Sequence, residues 1–232
     1  VMGFQEETAK MKRLDFNKEA LSAVYQQEMK DWREQFIIRD AGFTQGTPQW
    51  ISALQTGKEW KPMELPGYWE EKGLDGLDGI VWFQKEIDIP AEWAGKEVTL
   101  SLGMIDDEDI TYYNGKEIAR GIITVRVSDF GGEGGIHGKP ETLYAEMGGQ
   151  KISLAGIWNH HIGLTLDELP SAPMSPEGSS YLSVLYNGMV HPFTIFPVKG
   201  VIWYQGEANV GRARQYSLLF QSLIADWRKQ WK

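Results

Sequence analysis

Two periodicities divide the chain. From Asn17, which suits an N-cap, Leu21, Val24, Tyr25, Met29, Trp32 and Phe36 recur at spacings that favour one helix face and stop before Gly42, predicting one amphipathic helix. A second stripe of Tyr216, Leu219, Phe220, Leu223, Ile224, Trp227 and Trp231 has the same spacing, with Arg212, Arg214, Gln221 and Lys229 outside it. It predicts a C-terminal helix that packs one face on a sheet. Between these stripes the period falls to that of a strand. Val81, Phe83, Lys85, Ile87 and Ile89 alternate with Trp82, Gln84, Glu86 and Asp88 until Pro90 stops the run. Val98, Leu100 and Leu102 alternate again, as do Ile123, Val125 and Val127, and Lys151 to Leu154 adds a further short run. Ile110 to Tyr113 meets Lys116 to Ile118 across Asn114-Gly115, a dipeptide suited to the positive φ angles of a tight hairpin turn. Short strands with tight turns indicate a β-sandwich.

Ahead of the C-terminal helix, Val201 to Tyr204 reads as a strand running into the polar turn Gln205 to Asn209. Strand, loop and helix in that order build an open α/β sheet, whose ligands collect at the carboxyl ends of the strands. Gln205, Glu207 and Asn209 therefore stand where chemistry is commonly done. The same residues suit a plain helix cap, and the pattern alone leaves both readings open. Residues 1–16 are charged and irregular and read as a tail. Thr44 to Pro66, punctuated by Gly46, Pro48, Gly57 and Pro62, reads as a crossing segment.

A length of 232 residues suffices for one large domain or two smaller ones, and 42% hydrophobic content is ample for a core. The net charge of −9 argues against nucleic acid, whose binding needs clustered Lys and Arg. No apolar run approaches the ~20 residues of a membrane span, and Val1 to Glu6 lacks the basic-then-apolar order of an export signal. With no cysteine, disulfides, thiolate metal sites and a cysteine nucleophile are excluded. Ten tryptophans and nine tyrosines could stack on sugars, but core packing is the commoner use of such rings. Asp106-Asp107-Glu108-Asp109 lacks the alternating ligands and central glycine of a calcium loop and reads as a tight turn. Gly131 to Gly138 lacks the spacing of a nucleotide loop and reads as a mobile loop. On a strand, the adjacent His160 and His161 would point to opposite faces and could not chelate one metal together.

Lys199 to Asn209, with Tyr216, Phe220, Leu223, Ile224, Asp226, Trp227 and Arg228 behind it, resembles the sialate O-acetylesterase family of SGNH-type hydrolases. So do Leu185 to Pro192, the run Gly103 to Ile110 ending in Asn114-Gly115, and Asp129 to Gly132. The resemblance implies an α/β fold, SGNH/flavodoxin-like and incomplete here, with an inserted jelly-roll-like β-sandwich. Residues 1–69 are then an N-terminal helix and crossing segment, 70–155 the inserted sandwich, 156–184 a linker, and 185–232 the strand–loop–helix part. One departure stands out. Family members usually have more chain, including another strand, where Arg120-Gly121 here runs straight into Ile122.

The resemblance further implies a carbohydrate esterase that removes O-acetyl groups from sialic acid or a related sugar through a serine acyl-enzyme. No metal or organic cofactor is expected. The expected partner is an acetylated sugar, with no nucleic acid and no membrane, and the expected location is periplasmic, extracellular or lysosomal. Such chemistry needs a serine nucleophile, a histidine base, an orienting acid and donors aimed at the developing oxyanion. The family's Gly-Asp/Gln-Ser-Asn-Met type motif and its histidine motif are not found here, so this chain by itself is expected to be inactive. Ser52, Ser101, Ser128 and Ser153 lie on or beside expected strands, and Ser175, Ser179 and Ser180 fall in a Pro/Gly/Ser linker. What matches is Gln205-Gly206-Glu207. By resemblance the Gln205 amide is an oxyanion donor, and Glu207 orients its neighbours or the substrate. Asn209, His191 and Asp129 are substrate-binding candidates, although Pro192 fixes a turn that favours a structural role for His191. The competing reading is a non-catalytic carbohydrate-binding sandwich, which has no use for the Gln205 loop. An incomplete sheet would also leave an apolar face uncovered and favour self-association.

Overall fold

The computed structural model describes residues 18–93, 95–113, 120–179, 181 and 183–231. The expected cap at Asn17, the tail before it, Ser180, and the Asn114-Gly115 turn with Lys116 to Ile118 lie outside the described residues. Contacts group the chain into two units, one of Lys30–Ser171 and one drawn from the chain on either side of it.

The first stripe forms helix α1, Lys18–Arg39. Two short strands follow, β1 (Phe43–Thr44) and β2 (Thr47–Pro48), paired with each other. Next come β3 (Lys61–Leu65), β4 (Gly67–Tyr68), β5 (Gly79–Asp88), β6 (Thr99–Leu102) and β7 (Met104–Ile105). The unit continues with β8 (Glu108–Tyr113), β9 (Arg120–Asp129) and β10 (Gly135–His137). It closes with β11 (Leu143–Met147), β12 (Gln150–Ser153) and β13 (Gly156–Thr165). The largest sheet has the order β3-β13-β5-β9-β8, beside two smaller sheets ordered β12-β11-β6 and β4-β10-β7. Every pairing among the described residues is antiparallel.

One face of the large sheet makes a sandwich core. Val81 and Phe83 of β5, Ile123, Val125 and Val127 of β9, and Trp158 of β13 meet Ile136 of β10, Leu143 of β11 and Trp69. Leu100, Leu102 and Ile105 close its margin. Burying one large aromatic removes roughly 200 Å² from water, about 5 kcal/mol of transfer free energy at ~25 cal/mol per Å². That is why Trp69, Phe83 and Trp158 dominate this layer.

The opposite face is covered too, by helix and loop. Ile80 and Trp82 of β5 and Leu164 of β13 pack on Phe36 of α1 and Leu169, flanked by Trp32, Trp50 and Trp60. Because both faces are covered, a polar residue can be buried mid-strand if it is fully bonded. Gln84 is fully buried; its Nε2 donates to the carbonyls of Trp50 and Ala53, and its Oε1 accepts the Gln55 N–H at 2.8 Å. It pegs the 50–55 loop to the sheet.

Asp40, directly after α1, makes the second peg. Its Oδ2 accepts from Arg126 Nε at 2.7 Å, and its Oδ1 accepts from Trp82 Nε1 at 2.9 Å and from Gly42 N at 2.8 Å. Arg126 Nη1 donates to Ser128 Oγ at 2.8 Å. The close approach requires glycine at 163, where a Cβ would lie 2.5 Å from Asp40 Oδ1 and 2.9 Å from the Trp82 ring. The ladder between β13 and β5 is bulged there, and Ala41 N donates to the Gly163 carbonyl at 2.8 Å.

Three expectations need correction. Lys61–Leu65, inside the expected crossing segment, is a strand; it lies at the sheet edge, where Pro62, lacking an N–H, is tolerated opposite Asn159. Residues 156–165, the expected start of a linker, form β13 between β3 and β5. The strand expected at Val201 to Tyr204 is not formed. Residues 172–231 contain no strand among those described, and without a neighbour an extended segment has no ladder to satisfy its backbone groups. Ile202 is 98% and Tyr204 89% exposed. The parallel sheet of the α/β expectation is therefore absent from the described residues, and what stands is a β-rich antiparallel fold with few helices. The second stripe does form a helix, α2, Ala213–Gln230, with Arg228 and Lys229 in the last turn, where cations suit the helix dipole.

Removing one partner of a buried ion pair leaves an uncompensated charge and costs about 3–5 kcal/mol. Asp40→Ala should lower the unfolding free energy by about that amount in urea denaturation, and adding Arg126→Met should recover part of the loss. A loss below about 1 kcal/mol would place the pair among ordinary surface contacts.

Candidate functional site

The turn at Gln205 is held from the helix side. Trp203 lies against Phe220 and Trp227 of α2, with ring centroids 5.5 and 6.0 Å away. Its Nε1 donates to the Tyr216 hydroxyl at 2.9 Å, and that hydroxyl donates to the Gln205 carbonyl at 2.7 Å. Tyr216 in turn stacks on Phe220 at 5.7 Å and 9°. The backbone at Gln205 is thus tied to the first turns of α2, while Gln205 itself is exposed. Among the described residues its carboxamide has no hydrogen-bond partner, so two N–H donors remain available.

Gly206 has φ 148°, a region in which a side chain would be strained. Its N–H donates to Glu207 Oε2 at 2.9 Å, and its carbonyl accepts the Asn209 N–H at 2.9 Å. A 3-10 turn, Glu207–Arg212, then leads into α2. One carboxylate oxygen of Glu207 is therefore engaged in closing its own turn. Gln205, Gly206, Glu207 and Asn209 come together on this one turn, where the side-chain amides of both Gln205 and Asn209 lack a hydrogen-bond partner among the described residues.

His191 belongs to the same unit and opens the 3-10 turn His191–Phe193. Its ring lies 6.1 Å from Tyr186, and its carbonyl accepts the Thr194 N–H at 3.1 Å and hydroxyl at 2.8 Å. An open cleft of about 480 Å³ runs between the 198–203 segment and α2, lined by Val201, Trp203, Phe220, Ile224, Trp227 and Trp231 among others. Gln205, Gly206 and Glu207 are not among its lining residues.

Asp129 is in the other unit, at the end of β9, and fully buried. Oδ1 accepts the Gly131 N–H at 2.9 Å, and Oδ2 has no partner among the described residues. Burial pushes its carboxyl up to about 6; Asp78, Asp106 and Asp107 push the same way, against the Gly131 hydrogen bond.

The remaining histidines and several serines have structural places. His160 and His161 do point to opposite faces: His160 sits beside Phe83, with burial holding its basicity down, while His161 lies between Trp50 and Trp60 with Nε2 3.2 Å from Glu59. His137 stacks on Tyr68 at 4.6 Å. Ser101 Oγ donates to the Thr142 carbonyl, Ser128 Oγ accepts from Arg126, and Ser222 Oγ donates to the Leu218 carbonyl. No three His, Asp or Glu side chains among the described residues converge to hold a metal ion. Sequence reasoning placed Tyr216 in a helical stripe and among the residues that carry the resemblance, but missed its hydroxyl as the tie on Gln205. Its position in the first turn of α2, where a long polar-tipped ring reaches the preceding loop, was the available signal.

No family model matches the chain, and no solved structure matches it. Curated proteins do. It is 46% identical over 56 residues to the sialate O-acetylesterase of Homo sapiens, covering 24% of this chain and 11% of that protein. The Mus musculus sialate O-acetylesterase is 47% identical over 53 residues, 22% of this chain and 10% of the relative. For the Rattus norvegicus protein the figures are 44% over 62 residues, 26% of this chain and 11% of the relative. The matched stretch thus spans about a tenth of the length of these relatives, and over about a quarter of its own length the chain is similar to sialate O-acetylesterases.

Proposed function

We propose that this chain is part of a carbohydrate esterase that removes O-acetyl groups from sialic acid or a related acetylated sugar through a serine acyl-enzyme. The free carboxamide of Gln205, on a backbone tied by Tyr216, carries this reading. Serine attack on an acetyl carbonyl places negative charge on the carbonyl oxygen, and a neutral N–H donor fixed in advance stabilises that charge without reorganising. Glu207 keeps the turn closed through the Gly206 N–H. The nucleophilic serine and its histidine then come from motifs that this chain does not contain. In the same proposal the sandwich that runs from Lys61–Leu65 to Gly156–Thr165 is an insertion, 185–232 belong to the hydrolase part, and Asn209 and His191 serve the substrate, whereas Asp129, buried beneath its own loop, offers a substrate no exposed atom. The exposed Ile202 and Tyr204 favour self-association. The location is periplasmic, extracellular or lysosomal; among the described residues no helix is long and apolar enough to cross a membrane.

The antiparallel sandwich favours a second reading, a non-catalytic sugar-binding module, and Gln205 separates the two. In the complete parent enzyme, Gln205→Ala should lower kcat for acetyl-ester hydrolysis by about 10²–10³ with little change in KM, as loss of one oxyanion donor does. An unchanged kcat removes Gln205 from the mechanism.

A further inference from the structure

Strand β9 ends in a buried carboxyl group whose one hydrogen bond among the described residues, from the Gly131 N–H to Oδ1, leaves the other oxygen without support for a charge. Asp129 faces the sandwich core with Val125 and Val127, opposite to Arg126, whose guanidinium is committed to Asp40 on the other face. Its Oδ2 is out of contact with solvent and has no hydrogen-bond partner among the described residues.

The glycine-rich loop 130–135 forms the roof. Phe130 N–H donates to Asp107 Oδ2 at 2.7 Å, and Gly134 N–H donates to the Glu70 carboxylate at 3.1 and 3.2 Å. Trp69 N–H donates to the Gly134 carbonyl at 3.1 Å, and Asp106 N–H to the Gly135 carbonyl at 3.2 Å. A Cβ at Gly134 would fall 2.2 Å from the Trp69 ring and 2.6 Å from Asp129 Oδ2, so only glycine lets the roof close this tightly. A side chain at 134 would strike both the Trp69 ring and the carboxyl.

The groups that face Asp129 share its sign. Asp78 precedes β5, Asp106 and Asp107 form the turn between β7 and β8, and Glu70 stands in the 3-10 turn Glu70–Lys72, on the far side of Gly134. A divalent cation would relieve this repulsion, but no three acidic or histidine side chains among the described residues converge to hold one. A proton is the remaining way to neutralise the carboxyl.

We propose that Asp129 is a proton-operated latch on the loop 130–135: protonated, it lets the loop lie closed on Trp69 and Glu70; ionised, it releases the loop. The only bond that changes is the O–H of the carboxyl, and its proton goes to water. The latch needs nothing from the esterase reading and stands whether or not the parent is an esterase. Its working range follows from the raised folded value of about 6 against an ordinary 3.8. For an upward shift the stabilisation is complete below the ordinary value and is lost as pH rises through the folded one, so the closed loop is favoured in acid and weakened above about pH 6.

The test is amide hydrogen exchange of Gly131, Gly134 and Gly135, resolved by NMR on the full 232-residue chain at pH 5 and pH 8 and corrected for the intrinsic exchange rate. Protection in the unsubstituted protein should fall by about tenfold between the two, which is what a shift from 3.8 to about 6 allows over that range. In Asp129→Asn, neutral at both pH values, it should change less than about twofold. Constant protection in the unsubstituted protein, or an equal fall in the variant, overturns the latch. Should the variant not fold, the carboxyl-carbon titration of Asp129 in the unsubstituted protein decides: a midpoint near 6 supports the latch, and one near 4 overturns it.

Discussion

The buried pair of Asp40 and Arg126 is the constraint on which the large unit depends. Taking two charges out of water is expensive, and the cost is offset only where both are held by good hydrogen bonds. Asp40 meets that condition by accepting from the Arg126 guanidinium, the Trp82 indole and the Gly42 amide at once. Those bonds join the end of α1 to the centre of β5 and β9 at a single carboxylate, and the neighbouring Ala41 N–H adds the bulged β13 through the Gly163 carbonyl. The apolar cover of Phe36, Trp82 and Leu164 packs beside this satisfied charge. Gln84 does the same for the 50–55 loop with neutral groups. An antiparallel sheet commonly leaves one face to solvent. Here two polar pegs fasten helix and loop over the second face instead.

The smaller unit has a different economy. Its apolar segment at 198–204 finds one aromatic anchor, Trp203, on α2, and leaves Ile202 and Tyr204 in water. What the unit does order is the turn. The Tyr216 hydroxyl receives the indole N–H of Trp203 and donates to the Gln205 carbonyl, a short chain of bonds that sets the backbone from which the carboxamide projects. A donor held in this way suits an anionic oxygen, and the local likeness to sialate O-acetylesterases suggests which reaction would generate one.

Much of this was legible in the sequence where local period and burial agree. Val81 and Phe83 alternate because they face the sandwich core, and both helical stripes form helices, over Lys18–Arg39 and Ala213–Gln230. Strand β13 was hidden by the polar centre Asn159-His160-His161, acceptable only because the faces are covered by distant chain. Strand β3 was hidden by Pro62, which an edge position excuses. At Val201 to Tyr204 propensity suggested a strand, but strands are completed by neighbours and none is present among the described residues of that unit. Gln205 and Asp129 were picked out through resemblance. Their surroundings, the Tyr216 tie and the Gly134 roof, arise from contacts between distant positions that no local pattern records.

The central claim is that this chain supplies an oxyanion donor and supporting structure, and no nucleophile or base. Removal of a whole triad leaves about 10³–10⁴ of rate enhancement over water, a small part of a hydrolase's power. The direct measurement is acetate release from an activated acetyl ester by the 232-residue chain, with each serine replaced by alanine in turn. The account predicts turnover no faster than that of a heat-treated sample, unaffected by any replacement. Enzyme-like turnover abolished by a single Ser→Ala change would contradict it.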